Sequence, residues 1–176
     1  MTRDDSDPLV APNSQGTTMS NEAFIQGLNE LYQGEVLGEV LFNRMLELFP
    51  EHRYEVSIMF QLETETKARL RPTLMQLGAD IIEREESRKT GRDIATSLHG
   101  KDWKDAMAAL RDLVKPAVQR YKEIADDAPA EYRSVAESMA VHEKSLYDFL
   151  ELEIVDDGQI ALPAIVAQLH NTLPTP

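Results

Sequence analysis

Apolar side chains recur every three or four residues from about residue 20 to about residue 153, with few interruptions. This is the period of an α-helix that buries one face, and no segment shows the sustained two-residue alternation typical of strands. Because the pattern covers most of the chain, it constrains the fold more than any single motif does. We therefore predict an all-α protein.

Proline and glycine residues divide this pattern into helices. Pro72, Gly78 and Pro116 fall inside predicted helices, where they indicate kinks or breaks. The predicted helices span about residues 20–49, 51–89, 102–126 and 129–153, with a longer glycine-punctuated connection around 90–101 and a short apolar helix from Pro163 to His170. Two of the connections are very short, so each flanking helix pair should form a hairpin. The prediction is an antiparallel four-helix bundle of two hairpins plus a short C-terminal helix.

Composition limits the partners and the location. Residues 1–18 have no apolar period and are expected to form a flexible tail, with residues 19–176 as one helical domain. The formal charge of −13 argues against binding to nucleic acid or to an anionic membrane surface. The N-terminus lacks the pattern of a signal peptide, and no apolar run approaches the length of a membrane span, so we expect a cytoplasmic protein. The chain has no cysteine, which excludes disulfides and thiolate metal sites.

Three polar residues interrupt the apolar faces of the predicted helices. Glu35 is the one charged residue on the core-facing positions of the first helix, and Glu63 is the one on the second. His142 holds the corresponding place on the fourth helix. The faces consist of Phe24, Leu28, Leu31, Glu35, Gly38, Phe42, Met45 and Phe49; of Val56, Met59, Glu63, Thr66, Leu70, Thr73, Leu77 and Ile81; of Met107, Leu110, Val114, Ala117, Tyr121 and Ile124; and of Val135, Met139, His142, Leu146 and Phe149.

Counting along the hairpins places these three residues at one depth. Glu35 lies 15 residues before Pro50, and Glu63 lies 13 residues after it. His142 lies 13 residues after Pro129 in the other hairpin. A buried carboxylate needs a cation, a metal ion or hydrogen-bond partners. Two carboxylates and an imidazole meeting at mid-bundle predict a site for a divalent metal ion.

This arrangement over about residues 20–153 resembles the ferritin-like superfamily, especially rubrerythrin and bacterioferritin. The dimetal pattern of that family is Glu on the first helix, Glu-x-x-His on the second, Glu on the third and Glu-x-x-His on the fourth. Three of these six positions match, at Glu35, Glu63 and His142, whereas Thr66, Met139 and either Val114 or Ala117 occupy the others. The resemblance implies one iron or manganese ion rather than two, or none, with oxidoreductase chemistry on oxygen or peroxide. The absence of cysteine excludes the rubredoxin-like iron site of rubrerythrins.

A second interpretation needs no metal. The chain could be a catalytically silent interaction or oligomerisation module in which Glu35, Glu63 and His142 form a buried hydrogen-bonded network, joined by Lys67 or Lys115. Lys67 lies four residues after Glu63 and could neutralise it as a helix pair. A homodimer through a bundle face or through the C-terminal helix is compatible with either interpretation. The short C-terminal helix should dock over an end of the bundle or against a second subunit, because it is too short to be stable alone.

Overall fold

The computed structural model describes residues 20–174, and within them it contains helices and no strand. The all-α prediction is therefore confirmed. The flexible tail predicted over residues 1–18 lies outside the described residues. The helices are α1 (Asn21–Leu48), α2 (Arg53–Gln76), α3 (Glu85–Ser97), α4 (Trp103–Asp126), α5 (Arg133–Ile154) and α6 (Gly158–Val166), with a 3-10 turn at Pro50–His52 between α1 and α2.

Local signals in the sequence set several helix ends. The Ser20 side chain caps α1 by accepting a hydrogen bond from the backbone N–H of Ala23 at 3.3 Å, and Asp102 caps α4 in the same way through Asp105. Pro50 begins the 3-10 turn, where its missing N–H costs nothing. Gly78, with φ +72°, takes the left-handed conformation just after α2.

The helices pack as two hairpins with two additions. α1 lies along α2, and α4 lies along α5; because the connections are short, both pairs are antiparallel. α3 packs against α1, and α6 packs against α5 and α2. None of the helices in residues 20–174 combines the length and apolar character needed to cross a bilayer.

The second predicted helix was drawn too long. The continuous helix expected over 51–89 ends at Gln76, and a separate helix, α3, occupies part of the predicted connection at 90–101. Pro72 lies inside α2 without ending it; the chain instead leaves the helix at Gly78. Gly91 lies within α3, where an added Cβ would be 2.6 Å from the carbonyl oxygen of Leu37. This glycine therefore serves a close approach between α3 and α1 rather than a turn.

The ends of the last two helices also differ from the prediction. α5 begins at Arg133 and not at Pro129, which precedes a turn. The C-terminal helix begins at Gly158, with Pro163 in its interior, and ends at Val166 before His170. Its docking on the other helices is confirmed, because Ile165 is 0% exposed and belongs to the apolar core.

The apolar core has two parts. One cluster contains Phe42, Met45 and Leu146, and the other contains Leu28, Leu31 and Met139. The predicted faces of the first helix are buried throughout, whereas Thr73, Leu77, Ile81, Val114, Ala117 and Val135 on the other faces are only half-buried. Between the two apolar clusters lies a group of buried polar side chains from four helices, which we call the polar layer: Glu35, Glu63, Tyr121, His142 and Glu143.

Candidate functional site

The polar layer brings together the three residues selected from the sequence. Glu35 on α1 and His142 on α5 are both 0% exposed, and Glu63 on α2 is 3% exposed. The Nε2 atom of His142 lies 3.2 Å from Glu35 Oε2 and 3.7 Å from Glu63 Oε1. One donor atom from each of the three residues lies within 4.8 Å of the other two. The hairpin count thus placed these side chains at the same depth.

Two glycines on α1 make room for this cluster. A Cβ added to Gly38 would be 2.5 Å from both Cδ and Oε2 of Glu63, so the Glu63 carboxyl group lies directly against the α1 backbone. A Cβ added to Gly34 would be 2.5 Å from the hydroxyl oxygen of Tyr121. Each glycine within a helix costs about 1 kcal/mol relative to alanine. The helix loses this stability at Gly34 and Gly38, and in return the Tyr121 and Glu63 side chains can lie against its backbone.

Sequence reasoning missed two members of the polar layer. Glu143 is buried, and its Oε2 atom lies 3.8 Å from His142 Nε2. Tyr121 was placed on the core-facing side of its helix, but only as packing; its hydroxyl donates a hydrogen bond to Glu35 Oε1 at 3.0 Å. A face drawn at three- and four-residue spacing excludes the neighbour of any chosen residue, so Glu143 was hidden by its position next to His142. The available signal was that two polar residues, His142 and Glu143, are adjacent in a predicted core helix.

The cations proposed for the network are elsewhere. Lys67 pairs with Glu39 and with Glu83, the latter at 2.9 Å, so the predicted pairing with Glu63 is wrong. Lys115 is exposed and does not join the cluster. Lys67 is buried, and its two partners are half-buried carboxylates, one on α1 and one beyond the end of α2. Thr66 donates its hydroxyl to the carbonyl oxygen of Leu62 at 2.7 Å, the ordinary contact of a threonine inside a helix.

Burial and like charge dominate the electrostatics of the polar layer. Burial raises the pKa of Glu63 well above its ordinary range, and the neighbouring Glu35 and Glu143 carboxylates add to this effect. Burial also raises the pKa of Glu143 to about 7. Burial lowers the pKa of His142, but the adjacent Glu35 carboxylate outweighs it and the net shift is upward. Within residues 20–174, no Lys or Arg forms an ion pair with these carboxylates, so protons or a bound cation must balance their charge.

The donor set fits a single divalent metal ion. Metal bonds of about 2.1 Å to oxygen and nitrogen place neighbouring ligand atoms about 3.0–3.5 Å apart, close to the distances of 3.2 and 3.7 Å from His142 Nε2 to the Glu35 and Glu63 oxygens. Glu35 Oε2 and His142 Nε2 are buried 3.2 Å apart and, in the part of the chain that is described, neither forms a hydrogen bond of good geometry. His142 Nδ1 also lacks a partner there, in contrast to most metal-binding histidines, whose second nitrogen donates to an orienting group. Carboxylate and imidazole donors suit iron and manganese.

Comparisons of the chain with protein-family models, with curated proteins and with solved structures found no match.

Proposed function

We propose that this chain is a ferritin-like four-helix-bundle protein whose polar layer binds one iron or manganese ion for metal-dependent oxidoreductase chemistry. The observation that carries the proposal is the convergence of Glu35, Glu63 and His142 donor atoms within 4.8 Å, in a buried layer whose carboxylates have no Lys or Arg partner among the described residues. Burying carboxylates without a cation is costly, and a bound metal ion would compensate their charge.

The roles of the individual side chains follow from their contacts. His142 would bind through Nε2, and the carboxylates of Glu35 and Glu63 would balance the charge of the ion. The Tyr121 hydroxyl holds Glu35 by a hydrogen bond to Oε1 and leaves Oε2 directed toward His142. The two apolar clusters cover the layer on either side along the helices. A bound ion would supply electron transfer to oxygen or peroxide, which the side chains alone do not provide.

Metal titration of the metal-free protein tests the proposal. We expect one Fe(II) or Mn(II) ion per chain by elemental analysis, together with a rise in the thermal midpoint that depends on metal concentration. Glu63→Gln keeps the side-chain volume but weakens a ligand, so metal affinity should fall about tenfold or more. Glu47→Gln, an exposed change on α1, is the matched control and should leave affinity unchanged. No stoichiometric metal, or equal affinity in Glu63→Gln, would overturn the proposal.

A metal-free interaction module is the second candidate, and the raised pKa values of Glu63 and Glu143 favour it because shared protons could satisfy the polar layer. The same Glu63→Gln variant separates the two functions. In a metal-free network the change removes a buried carboxyl group at little cost, so the fold should be equally stable or more stable with and without added metal. In a metal site the variant should lose the stabilisation that metal gives the wild type.

A further inference from the structure

A cavity of about 400 Å³ lies between α1, α3 and α4. This volume is within the range of about 300–1,000 Å³ found for small-molecule sites, and it is well above the roughly 150 Å³ that suffices for benzene in an engineered cavity. Its walls are mainly apolar and include Leu37, Leu41, Ile94, Leu110, Val114 and Ala117. The cavity is thus large enough for a molecule with a hydrocarbon chain or ring.

The inner end of the cavity is polar. Glu63, Glu143 and Tyr121 line it, and Glu63 is also one of the three converging donors of the polar layer. A molecule in the cavity would therefore touch a side chain of the candidate metal site. Apolar walls with a few polar groups at one end are the usual form of a small-molecule site.

The outer end indicates which molecules fit. Leu113, which is 51% exposed, borders the opening together with Glu30 and Arg120. Among the described residues that line the cavity, Arg120 is the one cation, and its guanidinium already bonds Glu30 Oε2 at 2.6 Å. An anion would meet carboxyl groups at the inner end and find this cation engaged at the outer end. The charge pattern therefore favours an uncharged molecule.

We propose that the cavity binds a small, uncharged, mainly apolar organic molecule whose inner end lies against Glu63, and that this class of molecule is the substrate of the site. The assignment as substrate rests on the proposed function, whereas the binding itself does not require the ion. Burial of apolar surface would supply the affinity, and the Glu63, Glu143 and Tyr121 groups would accept or donate hydrogen bonds to one polar atom of the ligand.

Calorimetric titration of the metal-free protein with n-octanol tests the binding. We expect saturable binding of one n-octanol per chain. The affinity for octanoate should be at least about tenfold lower, because its carboxylate would lose hydration in an apolar cavity whose one cation is already paired. Ala117→Phe places a ring in the cavity and should lower n-octanol affinity about tenfold or more, with Ala117→Leu as a milder filling variant if the first does not fold. Ala108→Leu, at a half-buried alanine of the same helix that does not line the cavity, should bind like the wild type.

The outcomes separate this proposal from the metal site. Loss of n-octanol binding in Ala117→Phe with metal affinity unchanged supports a cavity that is distinct from the ion-binding donors. The cavity proposal would be overturned, even if the metal titration succeeds, by any of three results. These are no saturable n-octanol binding, wild-type n-octanol affinity in both filling variants, or octanoate affinity equal to that of n-octanol. Failure of the metal titration alone would remove the role as substrate and leave the binding result standing.

Discussion

Replacing Gly38 by alanine should destabilise the protein, although glycine is normally a poor helix residue. Gly38 lies in the middle of α1, where alanine would ordinarily stabilise the helix by about 1 kcal/mol. Here the new Cβ would lie 2.5 Å from Cδ of Glu63, whereas ordinary contacts begin at 3.4 Å. The Glu63 carboxyl group must therefore move by about 0.9 Å, which changes its 3.7 Å contact with His142.

The expected magnitude is the difference of two effects. Forcing a buried side chain out of its contacts costs about 1–3 kcal/mol, and the gain in helix propensity offsets about 1 kcal/mol of it. Gly38→Ala should therefore lose up to about 2 kcal/mol of unfolding free energy. Gly27→Ala on the same helix is the matched control, because its Cβ would meet the Ile124 side chain at 3.2–3.4 Å, at most about 0.2 Å short of ordinary contact. We expect that variant to be neutral or slightly stabilised.

Urea unfolding in the presence of a chelator measures both variants without metal. The single tryptophan, Trp103, reports unfolding because it stacks on His52 with ring centroids 4.0 Å apart. If Gly38→Ala proves as stable as Gly27→Ala, or more stable than the wild type, then the Glu63 carboxyl group does not lie against α1. On the proposed function, Gly38→Ala should also reduce metal affinity about tenfold, since it displaces a ligand.

Three further predictions concern the core and the C-terminal segment. Leu28→Ala or Phe42→Ala should lower the free energy of unfolding in urea by about 2–5 kcal/mol. The exposed control Val141→Ala should change it by less than about 0.5 kcal/mol. A core variant that behaves like Val141→Ala would mean that the assigned buried face is wrong. Burial raises the pKa of Glu65, but hydrogen bonds from His170, Gln61 and Asn171 outweigh it and lower the pKa to about 2. The stability that Glu65 adds is therefore present above about pH 4.5 and lost toward about pH 2. The difference in unfolding free energy between the wild type and Glu65→Gln should shrink as the pH falls through that range, and a constant difference would contradict the contact. Deletion of residues 159–176 should uncover apolar surface and lower stability or raise the mass in light scattering; an equally stable monomer would refute the docking of α6.

The sequence was sufficient for the elements whose signals are local. The first and third predicted helices, at about 20–49 and 102–126, differ from α1 and α4 by one residue at the ends, because Ser20 and Asp102 are strong caps. The apolar face of α1 was also predictable, since a helix packed on one side follows a simple spacing. Periodicity and capping therefore defined most of the helical framework.

The errors arise where tertiary contacts decide. Gly78 and Gly91 are the same residue type, yet one ends a helix through a positive φ and the other permits close packing on Leu37. No local pattern separates these uses. Glu39 and Glu83 are distant from Lys67 in sequence but close to it in the fold. Lys67 pairs with these two residues rather than with Glu63, the buried carboxylate one turn away.

The candidate site was predictable in position and incomplete in membership. Counting from the two turns placed Glu35, Glu63 and His142 together, because rise per residue converts sequence distance into depth. Glu143 and the hydroxyl of Tyr121 required knowledge of how α4 and α5 rotate about their axes. The cavity could not be predicted at all, since it is a gap between helices and not a property of any one of them.

The polar layer also fixes the register of the helices, whatever it binds. Apolar faces of this kind tolerate sliding, because one leucine can replace another against a neighbouring helix. A slide of one turn, about 5.4 Å, would move Glu35 from His142 into an apolar cluster, where an unpaired carboxylate costs several kcal/mol. We therefore expect a single vertical alignment of α1, α2, α4 and α5, specified at one level in the middle of the bundle rather than by the connections at its ends.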